Sequence, residues 1–308
     1  MQNNNTKTNI WAFGGGKGGV GKSVITANLG IALAQKGYKI LLVDADFGAA
    51  NLHTILGMNL PSKSLSDIFF SSVPIQDVIH STNLLNIDII GGAYDALKVT
   101  SINTMHITEL LVDLKKLDYN YILIDLGAGT MDHTIEMFIG ADKGILVAMP
   151  EATSIENTYR FMKYAFYKNL KNVMANNEIK NFIENLLRKK EYQQLTPSNL
   201  IAQIEQISKA DADTLRKELF SYSLKIVLNQ VRNNNDVRLG FSMSASCLKY
   251  FSFRLDYVGF MESNEEVLHS LRSRKPLFLV DPFSKSARGI RKIGENLINN
   301  EHIVTAII

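Results

Sequence analysis

Residues Gly16-Lys17-Gly18-Gly19-Val20-Gly21-Lys22-Ser23 constrain this chain more than any other stretch. They fit the phosphate-binding loop pattern GxxxxGK(S/T). An apolar run, Ile10-Trp11-Ala12-Phe13, leads into Gly14-Gly15-Gly16, and a helical pattern follows from Lys22 to Lys36, stopped by Gly37. Strand, glycine turn and helix start in that order bring inward-facing N–H groups and the positive end of a helix dipole to one point. Side chains larger than glycine would block the inward turn. The backbone from Gly16 through Gly18, Gly19, Val20, Gly21 and Ser23 to Val24 is then the candidate cradle for phosphate oxygens. Lys22 would reach the β- and γ-phosphates, and the Ser23 hydroxyl would bind Mg²⁺.

The pattern that carries this loop alternates between strand and helix. Lys39–Val43, Ile87–Ile90, Tyr121–Ile124, Lys143–Ala148, Leu224–Leu228 and Leu255–Gly259 read as strands. Helical patterns cover about Thr104 to Leu117, Asp236 to Tyr250 and Lys285 to Ile298. Continuous apolar runs separated by helices predict strands buried on both faces of a parallel sheet. The expected fold class is α/β, with a doubly wound, mainly parallel sheet. Residues 1–308 read as one domain interrupted by a helical insertion over 168–222. In that stretch Phe182, Leu186 and Leu187 share one face, and Leu200, Ile204 and Ile207 share another. Arg188-Lys189-Lys190 reads as a solvated helix end. Pro197 separates the two helices, with Thr196 or Ser198 as N-cap.

Composition removes several classes. The residues are 46% apolar and 20% charged, as in an ordinary folded domain. A single cysteine, Cys247, excludes an intrachain disulfide and a four-cysteine zinc or iron–sulfur site, and points to a reducing, cytoplasmic setting. The six histidines show no metal-ligand spacing. The first residues carry no leader pattern, and no apolar run approaches the length of a membrane-spanning helix. From residue 223 onward there are 12 Lys/Arg against 8 Asp/Glu, a mildly basic third that could meet DNA or anionic lipid.

Three further features narrow the chemistry. Lys17 sits inside the loop, ahead of Gly18-Gly19. A lysine there that cannot fold back on its own phosphates could reach those of a facing subunit, and would stabilise transition-state charge in trans. Asp44 and Asp46 follow the second strand, in Asp44-Ala45-Asp46-Phe47-Gly48-Ala49-Ala50-Asn51. Asp125 ends the apolar strand Ile122-Leu123-Ile124 and is followed by Leu126-Gly127-Ala128-Gly129. An acid at a strand end beside a phosphate loop suits holding Mg²⁺ through water.

Together these motifs resemble the ParA/MinD family of dimeric ATPases, whose deviant Walker A motif reads KGGxxGK(S/T). The resemblance covers about residues 8–167 and 223–299 and implies a P-loop NTPase fold of the SIMIBI type. It implies binding of ATP/ADP with Mg²⁺, and slow hydrolysis in an ATP-dependent homodimer that awaits an activating protein partner. By resemblance Lys17 is the signature lysine, Asp46 positions or activates the attacking water, Asp44 supports the Mg²⁺ shell and Asn51 helps the dimer contact. Gly127 would offer its N–H to the γ-phosphate, and Asn229, in Val227-Leu228-Asn229-Gln230-Val231, would meet the adenine. Asp256 to Ser263 corresponds to a second adenine-side loop, here without the proline that relatives often carry. Lys17, Lys22, Asp46 and Asp125 thus form the catalytic group, with Ser23, Asp44 and Asp125 toward the metal.

Arg274-Lys275-Pro276 through Asp281-Pro282-Phe283-Ser284 resembles the MinD/FlhG (FleN-like) branch. That branch implies spatial positioning or regulation on a peripheral membrane surface or at a cell pole. The basic last helix, with Ile290, Ile293 and Leu297 on one face, is expected to dock on its own sheet. Two alternatives stand beside this reading. One is a ParA-like partitioning ATPase that binds DNA nonspecifically through Arg232, Arg238, Lys249, Arg254, Arg272, Arg274 and Lys275. The other is a regulatory ATPase acting through a protein partner, for which the insertion offers a surface. Iron–sulfur carriers of the superfamily need paired cysteines, which this chain lacks.

Overall fold

The computed structural model describes residues 7–92, 102–188 and 196–303 of the chain. Its strands are β1 (Asn9–Gly14), β2 (Ile40–Ala45), β3 (Ile79–Ser81), β4 (Ile87–Ile90), β5 (Tyr121–Leu126), β6 (Lys143–Ala148), β7 (Ser223–Val231) and β8 (Arg254–Glu262). They form one sheet in the order β3-β4-β2-β5-β1-β6-β7-β8. All neighbours run parallel except the edge pair β3 and β4. The sequence pattern gives no sign of β3, whose three residues are too few to show a period.

The helices are α1 (Lys22–Ala34), α2 (Leu52–Ile55), α3 (Leu65–Ser71), α4 (Thr104–Lys115), α5 (Asp132–Gly140), α6 (Ala152–Val173), α7 (Asn177–Arg188), α8 (Pro197–Glu205), α9 (Lys209–Ser221), α10 (Asn234–Phe251), α11 (Glu265–Ser273), α12 (Leu277–Val280) and α13 (Lys285–Asn299). They cover both faces of the sheet. Along β1, Ile10 and Ala12 enter one core while Trp11 and Phe13 enter the other. Burial on both sides explains why the strands read as unbroken apolar runs rather than alternating ones. The fold is the doubly wound α/β arrangement, with α1, α12 and α13 on one face and α4, α5, α6 and α10 on the other.

Helix α1 is apolar nearly all round because it lies between the sheet and α13; of its residues only Ser23 is not buried. As its pattern implies, α13 docks on its own sheet. Ile290, Ile293 and Leu297 are fully buried against β8 and α1. Residues 304–308 lie outside the described residues.

Helix α6 runs unbroken past residue 168 to Val173, because Phe166, Tyr167 and Leu170 continue its buried face. Beyond it, Ile179, Ile183, Leu200, Ile204, Ala212 and Leu215 join the same apolar core as the sheet. Phe182 and Leu186 are only half-buried, and Ile207 lies past the end of α8 with 42% exposure. Thr196 caps α8 by accepting from Asn199 N–H, with Pro197 in the first turn. Lys189, Lys190 and the Leu187 side chain lie outside the described residues.

A shared core has a thermodynamic consequence. Truncating Ile204 to Ala should cost about 2–5 kcal/mol. Denaturation followed by far-ultraviolet dichroism and by fluorescence of Trp11, the one tryptophan, should give coincident transitions. An earlier helical transition with Trp11 unaffected would show that the insertion folds as a separate unit.

Candidate functional site

The order in which the chain adds strands reverses at β1, with β5 on one side of it and β6 on the other. A crevice at the carboxyl ends of the strands is the expected ligand site of such a sheet. The glycine loop leaves β1 there. Gly19 and Gly21 have φ of +76° and +88°, a region that side chains disfavour. A Cβ on Gly16 would stand 2.0 Å from Asn157 O, so α6 closes against the loop at a point where only glycine fits. Gly21 precedes α1 with no side-chain cap, and the first turn of α1 carries no acid. The orphan N–H groups of this helix start are therefore left for an anion.

Gly18, Gly19, Gly21, Lys22, Ser23 and Val24 line a cavity of about 910 Å³. Lys22 is buried and Ser23 half-buried. Gly16, Lys17, Val20 and Gly127 do not face this cavity. The Lys17 ammonium is instead held by Glu151 Oε2 at 3.1 Å and Thr153 Oγ1 at 3.2 Å, where α6 begins. Glu151 and Thr153 carry no motif, and sequence reasoning missed them.

The acids lie beneath and beside the loop. Parallel pairing of β2 with β5 sets Asp44 directly opposite Asp125. Both are buried. Asp44 accepts from Leu52 N–H at 3.0 Å and Asp46 N–H at 3.2 Å. Neither oxygen of Asp125 has a hydrogen-bond partner among the described residues. Burial, and then the charge of Asp44, push the Asp125 carboxyl up to about 8, against the pull of Ser23 and Lys22. Burial also raises Asp44, which its backbone donors partly offset.

An orphaned, buried carboxylate beside a second one is the environment that a divalent cation relieves. Among the described residues no three His, Cys, Asp or Glu side chains converge on one point. A cation here would thus take its other ligands from the Ser23 hydroxyl, phosphate and water, as Mg²⁺ does. Asp46 stands at the cavity wall, its Oδ1 fixed by Gly48 and Ala49 N–H at 3.1 Å each. It lies over Gly127, where a Cβ would come within 3.3 Å of that oxygen. Asn51 lines the cavity just before α2, and its side-chain amide donates to Ala49 O at 2.5 Å rather than capping the helix.

The far end of the cavity differs in part from expectation. Asn229 lines it, but its amide donates to Val20 O at 2.7 Å, so it also fastens the glycine loop. Of the expected second loop, Asp256 does not approach the cavity. It is buried within β8 and paired with Lys225 and Arg254. Only Met261, Glu262 and Ser263 reach the cavity. The wall beyond them is apolar, made by Val267, Leu268 and Leu271 of α11. Gln230, which also lines this end, holds φ of +58°, a conformation non-glycine residues adopt at a cost. The basic residues considered for DNA do not gather at one place. Arg254 begins β8, whereas Arg272, Arg274 and Lys275 follow its far end, about 27 Å along the strand.

Comparison with known proteins agrees with this geometry. The ParA family model, described as NUBPL iron-transfer P-loop NTPase, matches residues 6–208. The chain is 35% identical over 164 residues to a putative septum site-determining protein MinD of Mesostigma viride, which covers 51% of this chain and 55% of that protein. It is 31% identical over 159 residues to the antiactivator FleN of Pseudomonas aeruginosa, over 50% of this chain and 55% of that one. The matched segment therefore spans about half the length of these relatives. Among solved structures, MinD of Pyrococcus horikoshii complexed with Mg-ADP superposes with a TM-score of 0.62 at 23% identity, over 94% of this chain and 96% of that one. A MinC:MinD cell division complex of Aquifex aeolicus gives 0.64 at 21% identity, over 96% and 98%. At such identity these two show the fold. The family model reaches across the loop and all three acids, and the chain belongs to the ParA/MinD family of P-loop NTPases.

Proposed function

We propose that this protein is a Mg²⁺-dependent ATPase that works as a nucleotide-switched homodimer in spatial positioning or regulation. The observation that carries the reading is Asp125, a buried carboxylate with no hydrogen-bond partner among the described residues, beside a glycine loop and an uncapped helix start. The MinD and FleN relatives support the positioning role.

The placement of the residues supports the following roles. The loop N–H groups and Lys22 bind the phosphates of ATP. Ser23 and Asp125, with Asp44 behind, would hold Mg²⁺, which supplies charge neutralisation at the phosphates when bound. Asp46, fixed by two backbone donors, orients the attacking water and accepts its proton. Lys17 points away from its own cavity and is free to serve a facing subunit once Glu151 releases it. Leu268 and Leu271 offer an apolar wall for the base. Switching acts through a partner protein, as the MinC:MinD complex suggests for that relative, on a peripheral membrane surface or at a cell pole in the cytoplasm. No helix among the described residues is long and apolar enough to cross a membrane.

Two experiments test this reading. In steady-state hydrolysis assays, Asp46→Ala should lower turnover by about 10²-fold or more, with ADP binding retained. Lys17→Ala should lower it by about 10³-fold, again with ADP binding retained, and normal turnover would defeat the trans role. The second experiment follows protons. Burial and repulsion between neighbouring carboxylates raise both Asp125 and Asp44 above the ordinary carboxylate range, so the pair holds a proton more readily than free carboxylates and must lose it to meet Mg²⁺. Calorimetry of Mg-ADP binding in buffers of different ionisation enthalpy should report proton release, and affinity should rise with pH. The unliganded protein should lose stability as pH rises above the ordinary carboxylate range, because its folded state binds that proton more tightly than its unfolded state. Binding heats independent of buffer would contradict the assignment.

A further inference from the structure

We propose that Gln230, rather than Asn229, reads the base of the bound nucleotide, an assignment that rests on the ATP-binding reading above. Its carboxamide pairs with the 6-amino group of adenine and the ring nitrogen beside it. Asn229 is already engaged within the protein. It is buried, its amide donates to Val20 O at 2.7 Å, and its Oδ1 accepts from Gln230 N–H at 2.8 Å. A Cβ on Gly21 would come within 2.1 Å of that amide nitrogen, so Asn229 is wedged against the glycine loop. Turning it to a base would release the loop.

The backbone at Gln230 is shaped to re-aim a side chain. Leu228 pairs with Phe260 and Val231 with Glu262, so three steps along β7 match two along β8. The extra residue makes a β-bulge, a device that changes where strand side chains point and recurs next to active sites. Gln230 takes its positive φ of +58° within this bulge, where glycine is the easy choice. Neighbours in a regular strand face opposite sides of the sheet, yet Asn229 and Gln230 both line the cavity. Gln230 is half-buried, and its carboxamide has no hydrogen-bond partner among the described residues. A free amide held at a strained position is costly without a ligand.

The other polar groups at this end of the cavity match an adenine edge less well. The Glu262 carboxylate faces Lys285 at 3.4 Å, and Asn264 Oδ1 caps α11 by accepting from Glu266 N–H at 3.3 Å. Glu265 offers only acceptors, and Ser263 a single hydroxyl. Adenine carries a donor, its 6-amino group, beside an acceptor ring nitrogen. A glutamine carboxamide presents an acceptor and a donor side by side and meets both at once. Leu268 and Leu271 supply the apolar wall for the ring.

The test is calorimetric titration of the full-length chain with Mg-ADP and with the magnesium complex of purine riboside 5′-diphosphate, which lacks only the 6-amino group. The wild-type chain should bind ADP about tenfold or more tightly than the analogue. Gln230→Gly and Gln230→Met should each bring that ratio to about twofold or less. Glycine suits the backbone at φ +58° and keeps the variant folded, while methionine keeps the length and removes the amide. A wild-type ratio near one, or a ratio that either variant retains, would overturn the proposal and leave nucleotide binding in place. The second of these results would return the base contact to Asn229. Binding of neither nucleotide by the wild-type chain would overturn the ATP-binding reading itself, and this proposal with it.

Discussion

Two buried carboxylates on adjacent strands set the terms for the whole site. The register of β2 on β5 leaves Asp44 and Asp125 no choice but to lie side by side, and both are out of reach of solvent. Like charges so placed are tolerated only with a proton or a cation between them. The surrounding elements are arranged around that need. The order in which the chain adds strands reverses at β1, which brings the glycine loop to the same end of the strands as the two acids. Helix α1 presents an uncapped start there, and Lys22 and Ser23 follow directly. Asn229 and the α6 backbone at Asn157 hold the loop from either side, so its N–H groups are positioned before any ligand arrives.

The two lysines of the loop are held in opposite ways. Lys22 is buried in the site, while Lys17 turns outward to Glu151 and Thr153. The Lys17–Glu151 pair is about one-third to two-fifths exposed, and ion pairs in that setting contribute about 1 kcal/mol or less. So weak a hold gives way readily to a triphosphate, whose charge density is far higher. In the proposed dimer, the partner of Lys17 would then depend on which anion is present. Helix α6, which supplies both holding residues at its start, carries the insertion at its other end.

Much of this was legible in the sequence, for reasons that particular residues show. Gly16–Ser23 combines a strict spacing with flanks of the right type, and no other local structure accommodates it. Ile122 to Asp125 is legible because an acid that interrupts an apolar strand is costly without a role. The rest depended on partners that periodicity does not name. Leu268 and Leu271 stand three apart on a helix, the spacing of core residues, yet they wall a cavity because β8 ends just before them. Asp256 sits in a stretch that resembles a base-binding loop, but Lys225 on the next strand draws it into a buried pair. Helix α6 has no break where the strand alternation stops, so it runs past residue 168. The bond from Asn229 to Val20 joins residues 209 apart, which no local pattern reports.

In the proposed mechanism the outward Lys17 meets the nucleotide of a second subunit. Light scattering after size exclusion, with Mg-ATP and then with Mg-ADP, tests it most directly. Twice the monomer mass is expected in ATP and the monomer mass in ADP. One mass in both nucleotides would contradict it, since no subunit would then face Lys17 in response to ATP.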